Sequence, residues 1–313
     1  MSLACGIDVG GTKIAGGVVD EHGTILEELR VESPATDVAA IEQAIESLVT
    51  QLRSRHEIAA VGVGAAGYID KARAVVMFAP NLAWRDLDLK ADLEAKLDLP
   101  VVVENDANAA AWGEFQFGAG HDVDDLLLVT VGTGVGGGVV LDGNLYRGAF
   151  GVGAEIGHMR VVPDGILCGC GNYGCLEMYA SGSALVRDVR AAARAGSLLA
   201  ADLVDRAIGD PAAITGPLVT EAARAGDPFA IEHLATLGRW LGEGIASLTA
   251  VLDPAVVVVG GGVSAADDLL LDPTRRAFAA QLTGRGHRPM LDIRKARLGN
   301  RAGLIGAADL ARH

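Results

Sequence analysis

"DVGGTKIAGGVVD", residues 8–20, and "TVGTGVGGGVVLD", residues 130–142, align without a gap. Each reads as a strand end, a glycine-rich turn, a second strand and an acidic turn. One hairpin written twice marks a duplicated unit, and the sequence around each copy extends the match. The first hairpin is led by "LACGIDV" (3–9), and a helix is expected directly after it, with Ile41, Ile45, Leu48 and Leu52 at helical spacing. Short apolar strands follow in "AAVGVGA" (59–65) and "VVVEND" (101–106). Downstream of the second hairpin, Leu234, Leu241, Ile245, Leu248 and Leu252 line a long helix stopped at Asp253-Pro254. "AVVVVGGGVS" (255–264) then gives a buried strand, three glycines and a helix start, mirroring "AAVGVGAAG" (59–67). The expected fold class is α/β, with duplicated lobes whose glycine turns face each other across a cleft, a natural nucleotide clamp.

Composition narrows the function. Half of the 313 residues are hydrophobic and 21% are charged, enough for two domains with full cores. No run of about 18 uncharged apolar residues is present. The first strand starts within a few residues of Met1, without a basic stretch and cleavage site, so a cytoplasmic protein with no membrane partner is expected. A net charge of −14 without a Lys/Arg cluster excludes nucleic-acid partners, whose affinity rests on neutralising many phosphates. Phosphate chemistry here is small-molecule and local.

Three glycine turns offer backbone N–H groups without side chains in the way: Gly10, Gly11 and Thr12; Gly132, Thr133 and Gly134; and Gly260, Gly261 and Gly262. A single such turn would be explained by positive φ alone. None fits G-x-x-x-x-G-K-[ST].

The segment "EIGHMRVVPDGILCGCGNYGCLE" (155–177) holds three of the four cysteines. Cys168, Cys170 and Cys175 form C-x-C-x₄-C, and His158 lies ten positions upstream. In a reducing compartment this set points to a closed tetrahedral zinc site, structural because no ligand position remains for an activated water. Reduced cysteines packed as small hydrophobes would need a core that this glycine-rich stretch does not supply. Cys5 reads as a buried strand residue.

Taken in order, "DVGGTK", "END", "GTGVGGG", "EIGH", "CGCGNYGCLE" and "VVVVGGGV" resemble the ROK family of sugar kinases in the actin-like ATPase (ribonuclease H-like) superfamily, closest to its bacterial ATP-dependent glucokinases. The resemblance covers nearly the whole chain. It implies a small lobe 1–115, completed by a C-terminal helix 300–313, and a large lobe 116–299 carrying the zinc segment. It makes Gly10–Lys13 the first phosphate motif, Gly132–Gly134 the second and Gly260–Gly262 the adenosine motif. The family's repressor branch carries an N-terminal helix-turn-helix domain, for which no room is expected before the first strand.

Phosphoryl transfer to a sugar hydroxyl is mostly positioning and charge stabilisation, with one carboxylate taking the hydroxyl proton. The resemblance gives that role to Asp106, while the residues alone leave it open whether Asn105 or Asp106 merely caps a helix. Asp8 can hold Mg²⁺ through water. Lys13 is either a phosphate neighbour or a solvated turn lysine. Asn105, which can donate and accept, and Asp106 are candidate sugar contacts, and Glu155, His158 and Glu177 match the family's sugar-binding positions, although isolated glutamates are usually solvated surface groups. His158 can ligate zinc through one ring nitrogen and face a sugar hydroxyl with the other. Gly67 and Asn81 are further candidates, the family often having Pro-Gly where this chain has Ala66-Gly67. The implied reaction is ATP-dependent phosphorylation of D-glucose at its 6-hydroxyl. The alternatives are fructose, mannose or N-acetylhexosamine as acceptor, polyphosphate as donor, or a non-catalytic sugar-sensing regulator. A homo-oligomer, dimer or tetramer, is implied as well.

Overall fold

The computed structural model describes residues 2–313. The first part of the chain runs β1 (Leu3–Val9), β2 (Lys13–Val19), β3 (Ile25–Glu32), α1 (Val38–Arg53) and β4 (Ile58–Ala65). A short antiparallel sheet of β5 (Tyr68–Ile69), β6 (Val76–Phe78) and β7 (Arg85–Leu87) leads to α2 (Leu89–Leu97), β8 (Val101–Asn105) and α3 (Asp106–Phe117). The second hairpin is β9 (Leu126–Val131) and β10 (Val135–Leu141), followed by β11 (Asn144–Tyr146). After the cysteine segment come α4 (Glu177–Ala180), α5 (Gly182–Arg194), α6 (Ala201–Arg206), α7 (Gly216–Arg224) and α8 (Pro228–Leu252). The chain ends with β12 (Val256–Gly260), α9 (Asp268–Gln281), β13 (Asp292–Lys295) and α10 (Ala302–Leu310).

The repeat read from the hairpins extends to whole sheets. One is ordered β3-β2-β1-β4-β8 and the other β11-β10-β9-β12-β13. In each, the third strand from one edge is the first in sequence, its hairpin partner runs antiparallel beside it, and the later strands join on its other side. β1, β4 and β8 are parallel, as are β12 and β13.

One expectation is corrected. A third antiparallel strand, β3, stands between the first hairpin and α1, pairing Lys13 to Val19 with Glu32 to Ile25. Its sequence ILEELRVE is charged and only half-buried, as suits an edge strand, so it carries little apolar alternation to read.

By internal contacts the chain forms two compact units: residues 1–128, 137–154 and 297–313, and residues 129–136 with 155–296. In the first unit, Ile7, Ile14 and Val63 of the sheet pack with Ile41, Ile45 and Leu48 of α1 and Leu93 of α2, all at most 1% exposed. Each such side chain is worth about 1.5–3 kcal/mol when fully buried. The alternate residues of β1 meet α10, where Ala4 and Val19 cluster with Leu304, Ile305 and Ala308. That approach needs glycine. A Cβ on Gly62 would enter the carbonyl of Ala307, and one on Gly6 the carbonyl of Leu304. α3 locks onto α10 in the same way, a Cβ on Gly113 falling 2.5 Å from the Ala302 carbonyl oxygen, while Trp112 Nε1 donates to Asp309 at 2.9 Å. α3 is thereby packed closely along α10.

In the second unit, α8 ends as its sequence dictates. Asp253 closes it in the left-handed region (φ 46°) and Pro254 cannot continue it. Among the described residues, no helix is long and apolar enough to cross a membrane.

Candidate active site

In the first unit, β8 runs straight into α3 and delivers "END" at the corner. Asn105 is the helix cap, its Oδ1 accepting the Asn108 N–H at 3.0 Å, while its Nδ2 donates to the Gly67 carbonyl at 3.1 Å. Asn105 thus has one amide hydrogen left for a ligand. Gly67 is a packing requirement, since a Cβ there would stand 2.6 Å from the Phe78 carbonyl oxygen.

With capping done by Asn105, Asp106 occupies the first helical position. Its carboxyl is raised, by burial first, against the pull of the Ala107 N–H and its own. Asp8, next to last in β1, is raised from 3.8 to about 6, by burial and then by the charge of Asp106, with Arg30 opposing. Two buried carboxyls are brought together at the strand ends, and the charge of Asp106 adds to the burial that raises Asp8. The turn after β1 is exposed from Gly11 to Lys13, and the Gly10 N–H closes it on the Lys13 carbonyl at 3.0 Å. A methyl on Gly11 would lie 3.4 Å from Asn81, which is also exposed.

In the second unit, the turn after β9 is fixed from behind by the start of α5. The Gly182 N–H donates to the Gly132 carbonyl at 2.8 Å and the Ser183 N–H to that of Thr133 at 3.3 Å. Positive φ does not account for Gly132 or Gly262, neither of which is left-handed, and a Cβ on either would meet no atom within 4 Å. Glycine at such a position keeps the backbone open to something outside the chain. Both line a cavity of about 1260 Å³, together with Thr133, Ser183 and Val263. Gly261 serves the backbone instead: its φ is +81° and a Cβ there would come within 2.5 Å of the Val131 carbonyl oxygen. Gly260 is buried at the end of β12.

The cavity wall also holds Arg187, Arg190, Arg194 and Arg224 against a single carboxylate, Glu221. Two of these are ion-paired, Arg187 with Asp188 and Arg224 with Asp267, so the wall carries a modest local excess of positive charge in a chain of net charge −14. Arg187 Nη1 donates to the Met178 carbonyl and Arg190 Nε to that of Ile214, both at 2.8 Å. Sequence reasoning missed this wall, although the spacing 187, 190, 194 within "VRDVRAAAR" puts three arginines on one helical face.

The cysteine segment brings four ligand atoms together: one each from His158, Cys168, Cys170 and Cys175, all within 4.8 Å of one another. His158 Nδ1 is 3.7 Å from Cys168 Sγ, and Cys170 Sγ is 3.7 Å from Cys175 Sγ. These separations suit the edges of a tetrahedron with metal bonds of about 2.0–2.3 Å. The other ring nitrogen, Nε2, points to Glu155 at 4.0 Å. Burial raises the Cys168 thiol and takes that of Cys175 up to about 12. In Cys170 burial is outweighed by the Asn172 N–H and the neighbouring thiols, and its pKa is lowered. A cation bound among these four groups would stabilise all three cysteines as thiolates. Cys5, in contrast, is fully buried in β1 with its thiol raised to about 12 by burial.

Glu177 links the cluster to the glycine turn. Its Oε2 accepts the Val135 N–H at 3.0 Å, and its Oε1 lies 3.8 Å from Cys168 Sγ.

Paired sheets of this order, each with its strand-end glycine turn, define the actin-like ATPase fold, and solved structures agree. The chain superposes with a TM-score of 0.91 on a ROK family glucokinase from Streptomyces griseus in complex with glucose and AMPPNP, 52% identical, covering 99% of both chains. A ROK hexokinase from Thermus thermophilus gives 0.80 at 36% identity, covering 99% of this chain and 98% of that one. A glucokinase of Streptomyces coelicolor is 51% identical over 312 residues, 100% of this chain and 98% of that protein. The ROK family model matches residues 4–313. The chain belongs to the ROK family.

Proposed function

We propose that this protein is an ATP-dependent glucokinase. The observation that carries the reading is Asp106: a carboxyl with raised proton affinity at a strand-to-helix corner, relieved of capping by Asn105. In the reaction, the 6-hydroxyl oxygen of glucose forms a bond to the γ-phosphorus of ATP as the bond from that phosphorus to the β–γ bridging oxygen breaks. Asp106 takes the hydroxyl proton, and glucose 6-phosphate and ADP leave.

Asn105, Glu155, His158 and Glu177 are the proposed sugar contacts, with Gly67 and Asn81 supporting the corner and the first turn. Gly10 to Lys13 and Gly132 to Gly134 receive phosphate oxygens, and Gly262 borders the adenosine. The arginine-walled cavity supports this donor assignment. Mg²⁺ bound with ATP would neutralise charge on the phosphates, and Asp8 would be the carboxylate that holds it through water. His158, Cys168, Cys170 and Cys175 would hold a structural zinc, leaving Nε2 of His158 for the sugar side. Lobes 1–115 with 300–313, and 116–299, are the proposed functional halves. The cytoplasm is the proposed compartment, and a dimer or tetramer the assembly implied by the family.

The test is coupled turnover across a panel of sugars and phosphoryl donors. Glucose with ATP should lead in kcat/KM by well over tenfold above fructose or N-acetylglucosamine, because buried polar groups left unpaired are costly. Another sugar at the head of the ranking would keep the kinase and remove glucose. No turnover with any pair would remove the kinase.

A further inference from the structure

We infer that Glu104 is a positioning residue for the Asp106 corner, acting through a buried ion pair with Arg147; the inference rests on Asp106 being the base. Glu104 is 1% exposed, and its two oxygens face opposite ways. Oε1 accepts the Asn105 N–H at 2.9 Å and Asn108 Nδ2 at 3.1 Å, gripping the residue before Asp106 and the one two after it. Oε2 lies at ion-pair distance from Arg147 Nε, 2.8 Å, and from Arg73 Nε, 3.3 Å, with neither Oε2 nor Arg147 Nε in hydrogen-bond alignment, so charge attraction and not a directed bond joins them.

Arg147, 8% exposed, carries the grip further. Its Nη1 donates to the Lys71 carbonyl at 2.8 Å and its Nη2 to that of Asp70 at 2.9 Å. Gly151 presses on the same loop, a Cβ there falling within 2.5 Å of the Ile69 carbonyl oxygen. Three segments distant in sequence are thereby pinned to one carboxylate: the β8–α3 corner, the β5–β6 turn and the loop after β11. A buried carboxylate facing two guanidinium groups restricts the geometry, because moving it away would leave an uncompensated charge, while the bonds of Oε1 and of Arg147 Nη1 and Nη2 set the direction. The group so fixed is the peptide that aims Asp106, where a displacement of about 1 Å can cost on the order of a hundredfold in rate.

Glu104→Gln turns Oε2 into a donor facing two guanidinium groups, and the corner must shift. In the folded variant kcat should fall about tenfold to a hundredfold, with some rise in KM for glucose because Asn105 rides on the same corner, while KM for ATP stays within about threefold. Arg147→Lys keeps the charge but loses both carbonyl bonds, and it should show the same split at about threefold to tenfold. A kcat within twofold of the parent in folded Glu104→Gln, with only the melting temperature lowered, overturns the inference. If that variant does not fold, an unchanged kcat in Arg147→Lys does so. Absence of glucose phosphorylation by the parent enzyme would instead mark failure of the kinase reading.

Discussion

Asp8 and Thr130 occupy the same place in the two hairpins, each next to last in its strand and two residues before a glycine turn. The sheets around them share one strand order, yet the chemistry is not shared. In the first unit the strand ends gather two carboxylates, Asp8 and Asp106, whose protons are hard to remove. In the second, the corresponding turn opens on a cavity walled by arginines, and the segment before α4 is given to a cysteine cluster. The same scaffold occurs twice, and the difference lies at the strand ends: a pair of carboxylates in one unit, an arginine-walled cavity and a Cys₃His cluster in the other.

The change expected to separate the two regions most sharply is Asp106→Asn. It keeps the shape of the side chain and its hydrogen bonds to sugar but cannot take the proton, so kcat should drop by about 10² to 10⁴. Glucose affinity, measured by calorimetry, should change far less. Near-parental turnover in the folded variant would return Asp106 to the rank of an ordinary helix-start residue.

The cysteine cluster comes next in size. Purified protein should contain about one zinc per chain by elemental analysis, and Cys168→Ser, Cys170→Ser or Cys175→Ser should lower both occupancy and melting temperature. Judged by position in the sequence, the damage would fall on Glu155, His158 and Glu177, the proposed sugar contacts. The hydrogen bond from Val135 to Glu177, and those from Gly182 and Ser183 to the turn, extend it to the donor side. Zinc removal should therefore weaken both glucose and nucleotide binding, each by about tenfold. Nucleotide affinity unchanged by metal removal would show that Glu177 does not transmit the cluster's order to the turn.

What was legible in the sequence was whatever repeats or clusters locally. The two hairpins, the helix of Ile41, Ile45, Leu48 and Leu52, and the Cys₃His set all announce themselves within a few dozen residues. The ion pair of Glu104 with Arg147 and the clamp of α10 on Gly6 and Gly62 join positions far apart in the chain, and no local pattern signals them. β3 was hidden for another reason: an edge strand half in water needs no apolar alternation. The glycines were legible as a group but not individually. Structure separates Gly261, required by its φ and by Val131, from Gly132 and Gly262, which no packing explains.

The smallest expected effect tests the comparison at its origin. Asp8 carries a folded-state pKa of about 6 against an ordinary 3.8, so between those values the folded protein binds a proton that the unfolded chain has already released. Stability from this group is full below about pH 3.8 and is lost as pH rises through 6; at pH 8 its ionisation costs at most about 3 kcal/mol. Asp8→Asn removes that cost and forfeits some attraction to Arg30. It should stabilise the protein by about 1–3 kcal/mol at pH 8 and by little near pH 4, as read from denaturant midpoints. Turnover should fall if Asp8 holds the Mg²⁺ shell, a gain in stability at the expense of function. Thr130→Val, the matching change in the other hairpin, relieves no ionisation, so its effect on stability should be the same at both pH values. Equal pH dependence in the two variants would mean that Asp8 is not held at a cost, and the contrast between the hairpins would lose its electrostatic basis.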